Sequence, residues 1–83
     1  MNITLRYFAS IREAVGVGQE IWNTQAATVA DLRQELVARG GAYADCLGGA
    51  RALRAALDQE LCEGSTPLRE GCEVAFFPPV TGG

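Results

Sequence analysis

The apolar positions at the start of the chain alternate. From Asn2 to Phe8, Ile3, Leu5 and Tyr7 fall on one side and Thr4, Arg6 and Phe8 on the other, which predicts a β-strand with one buried face. Phe8 is then an aromatic residue on the polar side. It either covers the sheet as a lone exposed apolar group or belongs to a docking patch. Ala9 to Val15 predicts a short helix or turn closed by Gly16 and Gly18. Gln19 to Thr24 predicts a second strand, with Ile21 inward and Trp22 on the opposite face. At Thr28 the period changes: Val29, Leu32 and Leu36, with Val37 beside them, form one helical stripe, while Arg33, Gln34 and Glu35 take the solvent side. The Thr28 hydroxyl suits a helix cap, and Asp31 can reach back to the cap amide and favours the positive helix end. Gly40-Gly41 stops the helix.

Ala42 to Ala50 predicts a short second helix around Tyr43 and Leu47 before Gly48-Gly49. Arg51 to Leu61 supports two readings. Ala, Leu and Arg favour a helix, and Leu53, Leu57 and Leu61 recur every four residues. The same stretch also alternates through Leu53, Ala55 and Leu57, with a turn at Asp58-Gln59 and a short strand through Leu61 and Cys62. Topology favours the hairpin, because the other strands need sheet partners. Glu63 to Thr66 is a loop, Pro67-Leu68 a short extended piece, and Glu70-Gly71 a turn into a last strand. There Val74 and Phe76 face one way and Ala75 and Phe77 the other. The order hairpin, helix, hairpin-like pair, final strand predicts an α+β fold. It is a mixed sheet of four to five strands packed on one main helix, the β-grasp or ubiquitin-like architecture. Residues 1–77 form this domain and residues 78–83 an extended C-terminal tail.

The tail carries the candidate chemistry. Pro78-Pro79 ends the ladder, since neither residue has an N–H to donate. Val80, Thr81, Gly82 and Gly83 follow. Two glycines lack a Cβ and can pass a narrow channel, and the prolines pre-stiffen the approach and lower the entropy lost on binding. The span from Pro78 to Gly83 reaches about 20 Å at roughly 3.3 Å per residue. That is enough to put the Gly83 carboxylate in another protein's active site while the folded body stays outside. A carboxylate is ionised at neutral pH and inert, so it must be activated, and the chain holds no machinery for that.

Composition narrows the alternatives. With 83 residues there is room for one domain. A net charge of −3 without a basic patch argues against nucleic acid, and a mildly acidic body suits a basic partner. No apolar run approaches the roughly 18 residues of a membrane span, and the alternating N-terminus does not read as a signal peptide. Cys46, Cys62 and Cys72 are an odd set without a Cys-x-x-Cys pair, so they read as free thiols in a reducing cytoplasm rather than as a disulfide or zinc framework. There is no histidine, which removes the commonest general base and metal ligand. Gly40-Gly41 and Gly48-Gly49 lack the spacing and lysine of a phosphate loop.

The closing run Glu73 to Gly83, with Phe-Phe-Pro-Pro-Val-Thr-Gly-Gly, resembles the small sulfur-carrier subunits of molybdopterin synthase (the MoaD type). The similarity extends to the opening strand, Arg12-Glu13, the Thr28-capped helix, Pro67-Leu68 and Gly71. Cys72, where the family often has aspartate, and the alanine- and arginine-rich segment 50–57 depart from the pattern. The resemblance implies a cycle. An ATP-dependent adenylating partner converts the Gly83 carboxylate to an acyl-adenylate, and a sulfur donor protein replaces AMP to leave a thiocarboxylate. The tail enters the large subunit of molybdopterin synthase, where sulfur passes to cyclic pyranopterin monophosphate to form the dithiolene. It also implies a heterotetramer, catalytic bases in the large subunit, and no cofactor bound stably here, ATP being used by the partner.

Phe77, Phe8, Leu61 and Val80 are the expected docking residues. Phe77 lies opposite Phe76 and Phe8 opposite Tyr7, and neighbouring first and last strands would join the two into one apolar patch. The alternative places Phe77 in the core and Phe76 outside. Other functional readings remain: a Gly-Gly sulfur carrier for thiamine, tRNA thiolation or cysteine synthesis, a modifier joined to lysine amines, or a β-grasp interaction module without tail chemistry.

Overall fold

In the computed structural model, which describes residues 1–48 and 52–79, the opening alternation becomes β1 (Asn2–Tyr7). Ile3, Leu5 and Tyr7 are buried on one side and Thr4 and Arg6 stay half-buried on the other. The elements that follow are α1 (Ala9–Val15), β2 (Gln19–Asn23), α2 (Val29–Val37), α3 (Gly41–Leu47), β3 (Arg54–Leu57), β4 (Glu60–Cys62) and β5 (Glu73–Phe77). The five strands form one sheet in the order β2-β1-β5-β3-β4. β1 and β5 run parallel, and the other pairs are antiparallel. The last strand therefore sits at the centre of the sheet. This is the expected β-grasp arrangement, with α2 as the longest helix and two shorter helices beside it.

One core holds the domain together. Ile3, Leu5, Tyr7, Val74 and Phe76 of the two central strands pack with Ile11 of α1, Val29, Leu32 and Leu36 of α2, and Leu47 of α3. The α2 stripe is buried as its spacing predicts. Its cap is the Thr28 hydroxyl, which accepts from the Asp31 amide at 3.2 Å. The two readings of Arg51 to Leu61 resolve to the hairpin β3–β4, turning through Asp58 and Gln59 with φ of 49° and 71°. Two left-handed residues match the twist of a two-residue hairpin. They are held because Asp58 accepts from the Glu73 amide at 3.0 Å and from Arg69 at 2.6 Å, while its own N–H donates to Glu73 O.

The expected register of β2 is wrong by one residue. Ile21 is 67% exposed, and Trp22 packs against the core. Pairing decides this: Ile21 lies across from Thr4 and Trp22 across from Ile3, so Trp22 shares the buried face. A second correction concerns Glu35, which does not simply face solvent. Its carboxylate accepts from Trp22 Nε1 at 3.0 Å, from the buried Thr24 hydroxyl at 2.7 Å and from the Gln25 amide at 2.9 Å. A similar hub joins three elements at Glu20, which accepts from the Tyr7 and Tyr43 hydroxyls and from Arg39. The Arg39 guanidinium lies 4.5 Å from the Trp22 ring centre and 3.8 Å from that of Tyr43.

These hubs make stability depend on acid. Burial raises the Glu35 and Glu20 carboxyls, but the hydrogen bonds they accept outweigh it and hold both below the ordinary carboxylate range. A folded value below the unfolded one adds stability above the unfolded value of about 4.3, and that stability is lost as pH falls through the folded value. Melting followed by circular dichroism should therefore show the melting temperature falling as pH is lowered from about 5 towards 3. Glu35→Ala should cost about 1–3 kcal/mol at pH 7, because Thr24 and Trp22 lose an acceptor, and its deficit should shrink at pH 3. Parallel pH curves for variant and wild type would show that the bonds do not act in this way.

Candidate docking face at the tail exit

The second face of the sheet carries Arg6, Phe8, Ala75 and Phe77. Register places Arg6 beside Ala75, Ala75 beside Ala56, and Ala56 beside Leu61, a row across four strands. Ala56 and Ala75 are buried at 8% and 7% exposure, and being small they floor a shallow open concavity. Phe8, Phe77, Leu61 and Arg6 line its walls, with Gln59 and Glu73 at the rim. Phe8 extends past β1 with its N–H donating to Phe76 O, and its ring meets that of Phe77 edge to face, 6.5 Å between centres and 86° between planes. Phe8 and Leu61 are exposed and Phe77 is half-buried, whereas Phe76 is 1% exposed. The alternative with Phe76 outside is thereby excluded. The structure brings together Phe8, Phe77 and Leu61. Arg6, Ala56 and Ala75 belong with them but were given no role from sequence; the alternation of β1 and β5 put Arg6 and Ala75 on this face, and only the strand order reveals Ala56.

The chain leaves the sheet from this place. β5 ends at Phe77, Pro78 is half-buried against the domain and Pro79 is exposed. The tail thus departs from the central strand, directly after a residue of the apolar patch. Val80, Thr81, Gly82 and Gly83, expected to carry the reactive end and one docking contact, lie outside the described residues.

Other chemistry is scarce among the described residues. Cys62 and Cys72 are free thiols, the second of them buried. Burial pushes the Cys62 thiol up, and hydrogen bonds to Thr66 and the Leu57 backbone offset this only in part. A thiol held protonated is a poor nucleophile, so Cys62 is ill suited to carry sulfur itself. Among the described residues no group of three His, Cys, Asp or Glu could hold a metal ion, and no helix is long and apolar enough to cross a membrane.

Comparisons with known proteins point the same way as the geometry. The ThiS family profile matches residues 5–83. The chain is 42% identical over 81 residues to the molybdopterin synthase sulfur carrier subunit of Escherichia coli K12, covering 98% of this chain and 99% of that protein. Among solved structures it is similar to SAMP1 of Haloferax volcanii, with a TM-score of 0.82, 25% identity and full coverage of both chains. It is also similar to a chain in the protein–protein complex of subunits 1 and 2 of the molybdopterin-converting factor from Helicobacter pylori, with a TM-score of 0.70, 27% identity and full coverage of both.

Proposed function

This chain belongs to the ThiS family, and on that premise we propose that it is a sulfur carrier of molybdenum cofactor biosynthesis, the small subunit of a cytoplasmic molybdopterin synthase. The observation that carries the reading is the exit of the terminal segment, one residue beyond Phe77, from an exposed apolar face at the centre of the sheet. A partner that grips this face receives the tail along a fixed direction. The full-length similarity to a molybdopterin synthase sulfur carrier supports the pathway, and the two-subunit complex of a similar chain supports a large subunit as the occupant of the face.

In this reading the chain supplies an atom and a delivery geometry. A carboxylate oxygen of Gly83 attacks the α-phosphorus of ATP held by an adenylating enzyme, and pyrophosphate leaves. The terminal sulfur of a persulfide on a sulfur donor protein then attacks the acyl carbon and displaces AMP, and a thiol cleaves the resulting acyl disulfide, leaving the thiocarboxylate on Gly83 and a disulfide on the donor. Sulfur is the softer and stronger nucleophile, and the large subunit directs it to cyclic pyranopterin monophosphate. Phe77, Phe8 and Leu61, with Val80, anchor the body meanwhile, and Pro78 and Pro79 keep the approach extended.

The test is mass spectrometry of the chain made with its adenylating partner and sulfur donor, followed by reconstitution with the large subunit and the pterin precursor. Exchange of one oxygen for sulfur at Gly83 and formation of the dithiolene are expected. A similar fold also serves SAMP1, a small archaeal modifier protein. Adducts on lysine amines without sulfur exchange would move the chain to that role.

A further inference from the structure

Arg6 brings a charge to the wall of this concavity, with Glu73 at the rim and Arg54 across from Phe77 in the β3–β5 ladder. Arg6 lies between Ala75 and Gln19 in the ladder, and its guanidinium carbon is 5.3 Å from the centre of the Phe8 ring. Its ion pair with Glu73 is long, 3.9 Å, and the Arg6 side chain is 36% exposed. Its Nε–H is buried and finds no acceptor among the described residues. A guanidinium offers five donors in a rigid fork, and here the fork is poorly used. An apolar surface that closed over it without bringing an acceptor would strip its remaining water and leave a buried cation unsatisfied, which is strongly unfavourable.

Resting on the reading that the large subunit docks on this face, we infer that the partner presents a carboxylate to Arg6, next to an apolar side chain that seats on the floor made by Ala56 and Ala75. The shape and the charge ask for the two together. Two alanines between Phe8, Phe77 and Leu61 leave room for a projecting side chain, and Arg6 forms the wall on one side of that room. A turn of the 36% exposed side chain brings the buried Nε outward, so that Nε and one Nη donate to both oxygens of a carboxylate, a forked pair that a lysine cannot make. Contact with Phe8 holds the cation over the ring in the meantime. The domain as a whole is acidic, so this local positive charge also sets the orientation in which a partner approaches.

The experiment measures the affinity of the full chain for the large subunit of molybdopterin synthase by calorimetry at several salt concentrations. It uses wild type, Arg6→Gln, Arg6→Lys, Ala75→Leu and Phe77→Ala, each checked by thermal melting. Arg6→Gln should weaken binding about tenfold or more and flatten its salt dependence. Arg6→Lys should restore the salt dependence but not the affinity, and Ala75→Leu should weaken binding by filling the floor. Wild-type affinity in Arg6→Gln, or in Arg6→Lys, would overturn the forked carboxylate pairing. Unweakened binding by a folded Ala75→Leu would overturn the seated side chain. Loss in Phe77→Ala alongside wild-type behaviour of the Arg6 and Ala75 variants would leave the docking reading standing and this inference rejected. If wild type itself did not bind, both would fall.

Discussion

Deleting Gly82 and Gly83 abolishes sulfur transfer and leaves the domain folded. The two halves of this expected result have different causes. Fold survives because, among the described residues, every core residue lies at or before Phe76, and both ladders of β5 end by Phe77. Activity is lost because the deletion shortens the reach by about 7 Å at roughly 3.3 Å per residue and leaves threonine as the terminal residue. A β-branched residue with a Cβ neither threads a glycine-wide channel nor adopts the backbone angles open to glycine. A misplacement of this size is far beyond the roughly 1 Å that already costs about a hundredfold in a positioned reaction. Dithiolene formation in the reconstituted system should fall to background, with a melting temperature equal to that of wild type. Retained cofactor synthesis would refute a tail-borne sulfur.

Phe76→Ala and Phe77→Ala should separate stability from docking at adjacent positions. Phe76 is 1% exposed and faces the core, so its truncation removes a buried ring and leaves a cavity at the sheet centre. The expected cost is about 3–5 kcal/mol, a large share of the roughly 5–15 kcal/mol that holds a small domain. Denaturant unfolding should show a variant that is marginal or unfolded at room temperature. Phe77 faces the other way, against Phe8. Phe77→Ala should melt close to wild type and bind the large subunit about 1–3 kcal/mol more weakly. Equal melting of the two variants would contradict the assignment of their faces.

The faces of β1 were legible because the strand alternates without interruption and one choice of parity buries Ile3, Leu5 and Tyr7, whereas β5 is apolar from Val74 to Phe77 and its parity is decided by register, which sets Phe76 beside the buried Tyr7. The parity argument failed for β2. Gln-Glu-Ile-Trp-Asn offers one apolar residue to each side, so alternation alone cannot choose between them. What chooses is non-local: the indole N–H of Trp22 meets a carboxylate on α2, and Arg39 stacks on its ring. The hairpin at Asp58-Gln59 was visible only through the need for strand partners, because neither residue is the glycine that such a turn usually carries. Its enabling contacts come from Arg69 and Glu73, eleven and fifteen residues on. The reactive terminus was legible as a motif, through resemblance, while the alanine floor of the docking face needs the strand order before its parts can be seen as neighbours.

The central position of β5 bears on how the tail can be handled. A force that draws the terminus into a partner's tunnel acts lengthwise on a strand bonded on both sides, along Thr4–Tyr7 of β1 and along Arg54–Leu57 of β3. Such a load slides the strand against two rows of bonds at once; it does not unzip them one after another from an edge. The body can thus be tugged by its end repeatedly, once for each loading and unloading of sulfur, without unravelling.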